Sequence, residues 1–319
     1  MHIRILCFFV CLLTPCASFN FPKWFIQYIH THQKAYPISE LPKYYHILKE
    51  KYRLTHIHSS PILTLRLNEN SDLNRSTYNT HISSRRQRWS EWAGGHDVRH
   101  KLGHPSHFDW RDHHYVTPVK RQGSCGGCFA FAAVGHLEFW YKKMSGHLKE
   151  LSIQQALDCS GPESEGCNGG LMEDVYYHSY WNPIAPSGFD TWKGHDSVCK
   201  RRRSHPYVQV RDYVSISDPH GYNLEDDLSK HIYTYGPIPV GVHSTSTHFE
   251  LYHDGILQSQ HCGKEVDHAV LVVGYTPEYW IIKNSWGTTW GQNGYMYLER
   301  GTNACGINTY AAFATSVSI

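Results

Sequence analysis

Hydrophobic and polar positions repeat with two different periods along this 319-residue chain. Near the start, Leu41, Tyr44, Tyr45, Leu48 and Tyr52 leave one apolar stripe, which predicts a helix over Leu41 to His56 with Ser39 as its cap. A strand-like run, Ile62 to Leu67, follows. From Cys128 to about Lys143 the chain is rich in Ala, Phe, Leu and Trp and lacks Pro, again a helix. Ser152-Ile153-Gln154-Gln155 reads as a capping box that opens a second helix: the hydroxyl bonds a backbone N–H and Gln155 bonds back. A third helix is predicted over Leu171 to Tyr180. Beyond it the period becomes that of strands: Val208 to Ile216, Ile238 to His243, His268 to Tyr275, Tyr279 to Lys283, Gly294 to Glu299 and Tyr310 to Val317. Helices first and strands second predict an α+β protein of two lobes, with the cleft between them as the place for a site.

Composition narrows the class. Hydrophobic residues make up 40% and charged residues 18%, a globular balance. Lys and Arg total 30 against 28 Asp and Glu, so the net charge of +2 lacks the basic surplus of a nucleic-acid protein. The 25 His are the outlier; they are read as solvated surface residues that add positive charge in a mildly acidic compartment. No H-E-x-x-H occurs, and neither a metal nor another cofactor is expected.

The N-terminus reads as a signal peptide over residues 1–18. Arg4 precedes an apolar run, Ile5 to Leu13, and Cys16 and Ser18 suit the cleavage positions. That run is about half of the ~20 residues needed to span a bilayer, so no membrane anchor is expected. Removing it takes away Cys7, Cys11 and Cys16 and leaves seven cysteines. An odd number in an oxidising compartment implies three disulfides and one free thiol, or an intermolecular bridge. Residues 19–103 differ in texture, with no Cys and a polar stretch from Arg85, Arg86 and Arg88 to Gly94-Gly95 that reads as an exposed, cleavable linker. They are expected to form a propeptide ahead of a main domain over 104–319. That domain divides into a helical lobe over about 104–215 and a β-rich lobe over about 216–319.

The most informative stretch is Gln122-Gly123-Ser124-Cys125-Gly126-Gly127-Cys128-Phe129. Cys125 and Cys128 have the spacing of a dithiol redox motif, but no βαβ pattern surrounds them. The alternative is that Cys128 opens a helix, where unpaired N–H groups favour a thiolate. A nucleophilic Cys needs a base and a group that orients the base. His268 stands at the mouth of one buried strand and Asn284 at the end of the next, and a hairpin turning at Pro277 would allow them to face each other, which spacing alone does not establish.

These residues, in this order, resemble the papain-like cysteine proteases over roughly His104 to Ile319. Cys128 and His268 are 140 residues apart, within the about 130–150 typical of that family. Cys125-Gly126-Gly127-Cys128, Leu151 to Gln155, His261-Cys262 and Cys305-Gly306-Ile307 look most like the cathepsin O branch, and Gly169-Gly170-Leu171-Met172 like the cathepsin L branch. The resemblance implies a papain-like two-lobe fold, a helical left lobe and a β-barrel-like right lobe, preceded by a pro-segment. It implies a cysteine endopeptidase made as a zymogen, with Cys128 as nucleophile, His268 as its acid–base partner and Asn284 orienting the imidazole. Gln122 and the Cys128 N–H would form the oxyanion hole, with Trp286 covering the His–Asn bond. It also implies disulfides Cys125–Cys167, Cys159–Cys199 and Cys262–Cys305, which leave Cys128 free. Gly170 and Asp267 would contact the substrate backbone; Met172, Gly241, Ala269 and Tyr310 would line the pocket for the residue two before the cut. Tyr310 makes that pocket shallow with a polar floor.

Gly127 and Phe129 depart from the usual Ser and Trp, and only Asn68 and Asp72 remain of the pro-segment G-x-N-x-F-x-D motif, with Arg66 and Asn70 in place of its Gly and Phe. Asn74-Arg75-Ser76 is a glycosylation sequon. The implied partners are protein and peptide substrates, the chain's own propeptide as an intramolecular inhibitor, and cystatin-type inhibitors; the implied location is the lysosome or the secretory route. A catalytically silent family member acting as a binding protein is the alternative from another class.

Overall fold

A computed structural model of the chain describes residues 21–73, 103–161, 163–201, 207–217 and 224–319. The segment read as a signal peptide, Asn74 and the arginine-bearing stretch read as a linker lie outside the described residues. The helices are α1 Lys23–Thr31, α2 Leu41–Ile57, α3 Cys128–Ser145, α4 Ile153–Cys159, α5 Met172–Trp181, α6 Leu224–Tyr235 and α7 Thr247–Leu251. The strands are β1 Leu63–Leu65, β2 Phe108–Asp109, β3 Gln209–Ser217, β4 Ile238–Val242, β5 Tyr252–Leu257, β6 His268–Tyr275, β7 Tyr279–Lys283, β8 Tyr295–Glu299 and β9 Tyr310–Ser318.

The strands form one sheet in the order β1-β5-β8-β7-β6-β4-β9-β3, with β2 on β6. The expected barrel-like closure does not occur. β1, from the pro-segment, covers the outer edge of β5, and β3 pairs only with β9 at the far end, so the two end strands do not meet. Two hydrophobic cores lie against this sheet. One gathers Phe249, Trp280, Trp286, Trp290 and the inward residues of β4, β6, β7 and β8. The other packs α3, α4 and α5 against Val210, Ala312, Ala314 and Val317 of β3 and β9. Between them, His136 of α3 is fully buried; its Nδ1 donates to Pro237 O at 2.7 Å, and its Nε2 accepts from Trp140 Nε1 and Ala314 N, each at 3.0 Å. Burial lowers its pKa to about 4, against the opposing backbone bonds.

The pro-segment has its own small core. Phe25, Tyr28 and Leu48 are buried between α1 and α2, and Trp24 stacks on Tyr52 at 4.3 Å. Ser39 does not cap α2: it sits in a short 3₁₀ turn, Ile38–Glu40, and the helix begins with no side-chain cap. Within this segment, α1 is a helix that sequence patterning passed over, as it did α6 and α7 further along the chain. Beyond the segment's own core, β1 joins β5 with Leu63 opposite Gly255 and Leu65 opposite Tyr252. Lys51 pairs with Glu250 at 2.7 Å, and Asn68 Nδ2 donates to Glu250 O at 2.8 Å.

Candidate active site

The N-terminus of α3 places the thiol. Gly127 is its N-cap without a side-chain cap bond, and Cys128 is the first helical residue. A Cβ at Gly127 would stand 2.9 Å from Leu157 Cδ1 and 3.1 Å from Trp192 Cη2, so a Ser here would need those side chains to shift. Phe129, in place of the usual Trp, is buried. Cys125 is bridged to Cys167, Cys159 to Cys199 and Cys262 to Cys305, and Cys128 is the free cysteine among the described residues. With its partner sulfur committed elsewhere, the Cys125-x-x-Cys128 pair cannot cycle as a dithiol.

The β6–β7 hairpin supplies the other two groups. His268 opens β6 and Asn284 directly follows β7, both buried. His268 Nε2–H donates to Asn284 Oδ1 at 2.8 Å, and that oxygen also accepts from Ser285 N at 2.8 Å. The assignment of Nε2 as donor follows from Asn Oδ1 as acceptor. Directly after His268, the Ala269 N–H points at Cys128 Sγ at 3.4 Å, which brings the head of β6 against the thiol. The Trp286 indole lies 4.9 Å from the imidazole, tilted by 32°, over the same buried corner.

Gln122 is held from three sides. Its N–H donates to Ser285 O at 2.8 Å, its Oε1 accepts from Ser285 Oγ at 2.6 Å, and its Nε2 donates to Cys125 O at 2.9 Å. An amide nitrogen carries two hydrogens, so one donor remains to be directed elsewhere. Below this region Glu138, buried in α3, accepts from Thr117 Oγ1 at 2.5 Å, Lys120 Nζ at 2.7 Å and Leu151 N at 2.9 Å. Lys283, next to Asn284, donates to Thr117 Oγ1 at 3.0 Å, and desolvation lowers its pKa to about 8 despite the attraction of Glu138. Sequence reasoning passed over Glu138 and Lys283; a Glu inside the apolar α3 stretch was the signal that marked the first of them.

The other residues named from sequence fall in two groups. Met172, Ala269 and Tyr310 share one buried cluster, and Gly241 pairs with Ala269 across β4 and β6. Gly170 has its own packing reason: a Cβ there would stand 2.4 Å from Ser164 Oγ and 2.7 Å from Phe129 Cζ. Asp267 spends its carboxylate on the next loop, accepting from Ser244 N at 2.7 Å, Ser244 Oγ at 2.8 Å and Thr245 Oγ1 at 2.9 Å. Among the described residues no group of three or more His, Cys, Asp or Glu is arranged to hold a metal ion.

Residues 104–315 match the sequence pattern of the "Papain family cysteine protease". The chain belongs to that family. It is 33% identical over 313 residues to cysteine proteinase 2 of Zea mays, covering 93% of this chain and 84% of the relative. It is 34% identical over 317 residues to pro-cathepsin H of Bos taurus, covering 93% and 89%. Among solved structures, a digestive procathepsin L 3 from the larval midgut of Tenebrio molitor superposes with a TM-score of 0.81 at 25% identity, covering 92% of this chain and 98% of the other. These relatives belong to the cathepsin L, cathepsin H and plant thiol-protease kinds, and the structural similarity extends through the pro-segment of a proform.

Proposed function

We propose that this family member is an active cysteine endopeptidase, made as a zymogen for an acidic compartment of the secretory pathway, with Cys128, His268, Asn284 and Gln122 as its machinery. The observation that carries the reading is the convergence of a free thiol at a helix N-terminus with an imidazole whose Nε2 is already spent on Asn284. That bond leaves Nδ1 as the nitrogen for the thiol. The helix N-terminus and an imidazolium both stabilise a thiolate.

The thiolate attacks the peptide carbonyl carbon, and the C=O electron pair moves onto oxygen. The second Gln122 N–H and the Cys128 N–H receive that oxyanion. The intermediate collapses as the C–N bond breaks and the His268 Nδ1 proton goes to the leaving amine. Water, deprotonated by the now neutral His268, attacks the thioester, and the thiolate departs with the carboxylic product released. Asn284 holds the ring for both transfers, and Trp286 excludes water from the bond that does so. Gly170 and the Asp267 backbone are read as contacts to the substrate main chain, and Met172, Gly241, Ala269 and Tyr310 as the pocket for the residue two before the scissile bond.

The pro-segment, over residues 19–103 in this reading, is the intramolecular inhibitor, and cystatin-type proteins are the natural blockers of the processed cleft. Lysosomal breakdown of proteins is the role these features fit; Asn74, if glycosylated, serves that routing. The sequence resemblance to the cathepsin O branch in the finer motifs concerns subtype only. The test is labelling of the processed chain by an epoxide or iodoacetamide, read by peptide mapping. Fast modification at Cys128 in mild acid, blocked by Cys128→Ser together with all peptide hydrolysis, is expected. Slow labelling with no hydrolysis would mark a silent binding protein.

A further inference from the structure

Glu173 is a carboxylate that sequence motifs did not single out and that the chemistry above does not use. It follows Met172 at the start of α5 and is buried beneath the pocket residues. A buried carboxylate is costly unless it is hydrogen-bonded. Here the Tyr310 hydroxyl donates to Glu173 Oε2, and Ser215 Oγ donates to Oε1 at 3.3 Å. One turn along α5, Tyr176 Oη donates to Ala312 O at 3.3 Å, so the same helix face is fastened to β9 at two successive levels. Val240 lies opposite Ala311 and Gly241 opposite Ala269, which sets Tyr310 beside the one pocket position that has no side chain. Tyr310 is 1% exposed. With the pocket assigned as above, its ring is the group available to form the base, held at its far end by Glu173.

We infer that Glu173 is a positioning residue for specificity: by tethering the Tyr310 hydroxyl it keeps that ring across the pocket floor and restricts the residue two before the cut to small aliphatic side chains. The inference rests on the pocket assignment of the preceding section. An untethered tyrosine can rotate away and open the depth that a Phe or Leu side chain needs. Differences of one or a few methylenes in such a pocket are worth about 10–200-fold in kcat/KM.

The experiment compares two fluorogenic peptides that differ only in Val or Phe at this position. The enzyme is obtained by folding the full chain and then processing it, with the active fraction counted by thiol titration. The wild type should prefer Val by about tenfold or more. Glu173→Ala and Tyr310→Phe should each bring the Val/Phe ratio down by about fivefold or more, while Glu173→Gln, which keeps an acceptor for the hydroxyl, should hold it within about twofold. A purely structural role would lower both substrates together and leave the ratio in place. The inference is overturned if Tyr310→Phe and Glu173→Ala both keep the wild-type ratio, or if the wild type favours Phe. Hydrolysis of neither peptide by a wild-type sample would overturn the peptidase reading itself along with it.

Discussion

At the residue scale the site is built from groups whose bonding is nearly complete before any substrate arrives. Gln122 has its N–H, Oε1 and one Nε2 hydrogen fixed by Ser285 and Cys125, so its remaining hydrogen is oriented without cost at the moment of reaction. Replacing Gln122 by Ala should lower kcat about 10²–10³-fold, with KM little changed and the Cys128 labelling rate kept; steady-state kinetics beside alkylation rates check this. His136 makes a second prediction. Its folded pKa of about 4 lies below the ordinary value near 6.5, so the unfolded chain binds the proton more readily. Its contribution to stability is complete above pH 6.5 and is lost progressively as pH falls from 6.5 towards 4. Over that window it amounts to roughly 3 kcal/mol. The melting temperature should fall correspondingly between those values, and His136→Gln should flatten the dependence; thermal unfolding at a series of pH values measures both. Cys128, His268 and Asn284, the proposed nucleophile, base and orienting residue, could be singled out in the sequence because their spacing and order are specific, and the fold brings them to one corner. Lys283 and Glu173 could not, and Glu138 only as a Glu within an apolar stretch, because the partners that make these groups tolerable in the interior, such as Thr117 and Tyr310, are distant in the chain.

At the scale of elements, strong periodicity was the reliable guide. β6 and β7 occur over the stretches their continuous apolar runs mark, and α2, α3 and α5 agree to within a few residues. Caps were less legible. Ser152 does accept from Gln155 N at 3.0 Å, but the buried Gln155 side chain turns to the 183–185 backbone, donating to Pro183 O at 3.3 Å and accepting from Ala185 N at 2.9 Å, so the return bond of the box is absent. Tertiary partners outcompeted the local one. α1, α6 and β5 escaped notice although both helices carry apolar positions at helical spacing, Trp24, Phe25 and Tyr28 in α1 and Leu228 and Ile232 in α6; α1 and β5 are short, at nine and six residues. The pro-segment illustrates how sparse motif residues still fix an element. Asp72, buried, accepts from Tyr28 Oη at 3.2 Å, Lys34 Nζ at 2.9 Å and Tyr36 Oη at 2.5 Å. Asn70 Nδ2 donates to Trp286 O at 3.1 Å, directly beside the candidate site. Asp72→Ala removes the partner of the half-buried Lys34 and the acceptor of the Tyr36 hydroxyl, while Tyr28 keeps Asn68 O at 3.1 Å, a loss on the order of 1–3 kcal/mol. The precursor should become sensitive to limited proteolysis within residues 21–73 at neutral pH and should process earlier; gel analysis of a protease titration reads it out. An unaltered cleavage pattern would show that the segment is held by its aromatic core alone.

At the scale of the whole molecule, one open sheet serves two cores. β9 serves both, with Ala312 and Ala314 in the helical core and Ala311 and Phe313 in the other, and the thiol comes from the helical core while the imidazole comes from the head of β6. That division was visible in the order of helices and strands; the failure of the sheet to close was not, because alternation along a strand says which face is buried and nothing about which edges meet. β1 adds the pro-segment to the β5 edge of the same sheet, so docking of the precursor uses the sheet's own hydrogen-bonding rather than a separate interface. The account stands on the thiolate–imidazolium pair, and the pH dependence of Cys128 alkylation in the processed chain tests it most directly. The pair predicts a rate that stays high from neutral pH down to about pH 5, far below the ordinary thiol pKa of about 8.5. A rate that drops about tenfold for each pH unit below 8.5, as for a free thiol, would contradict it.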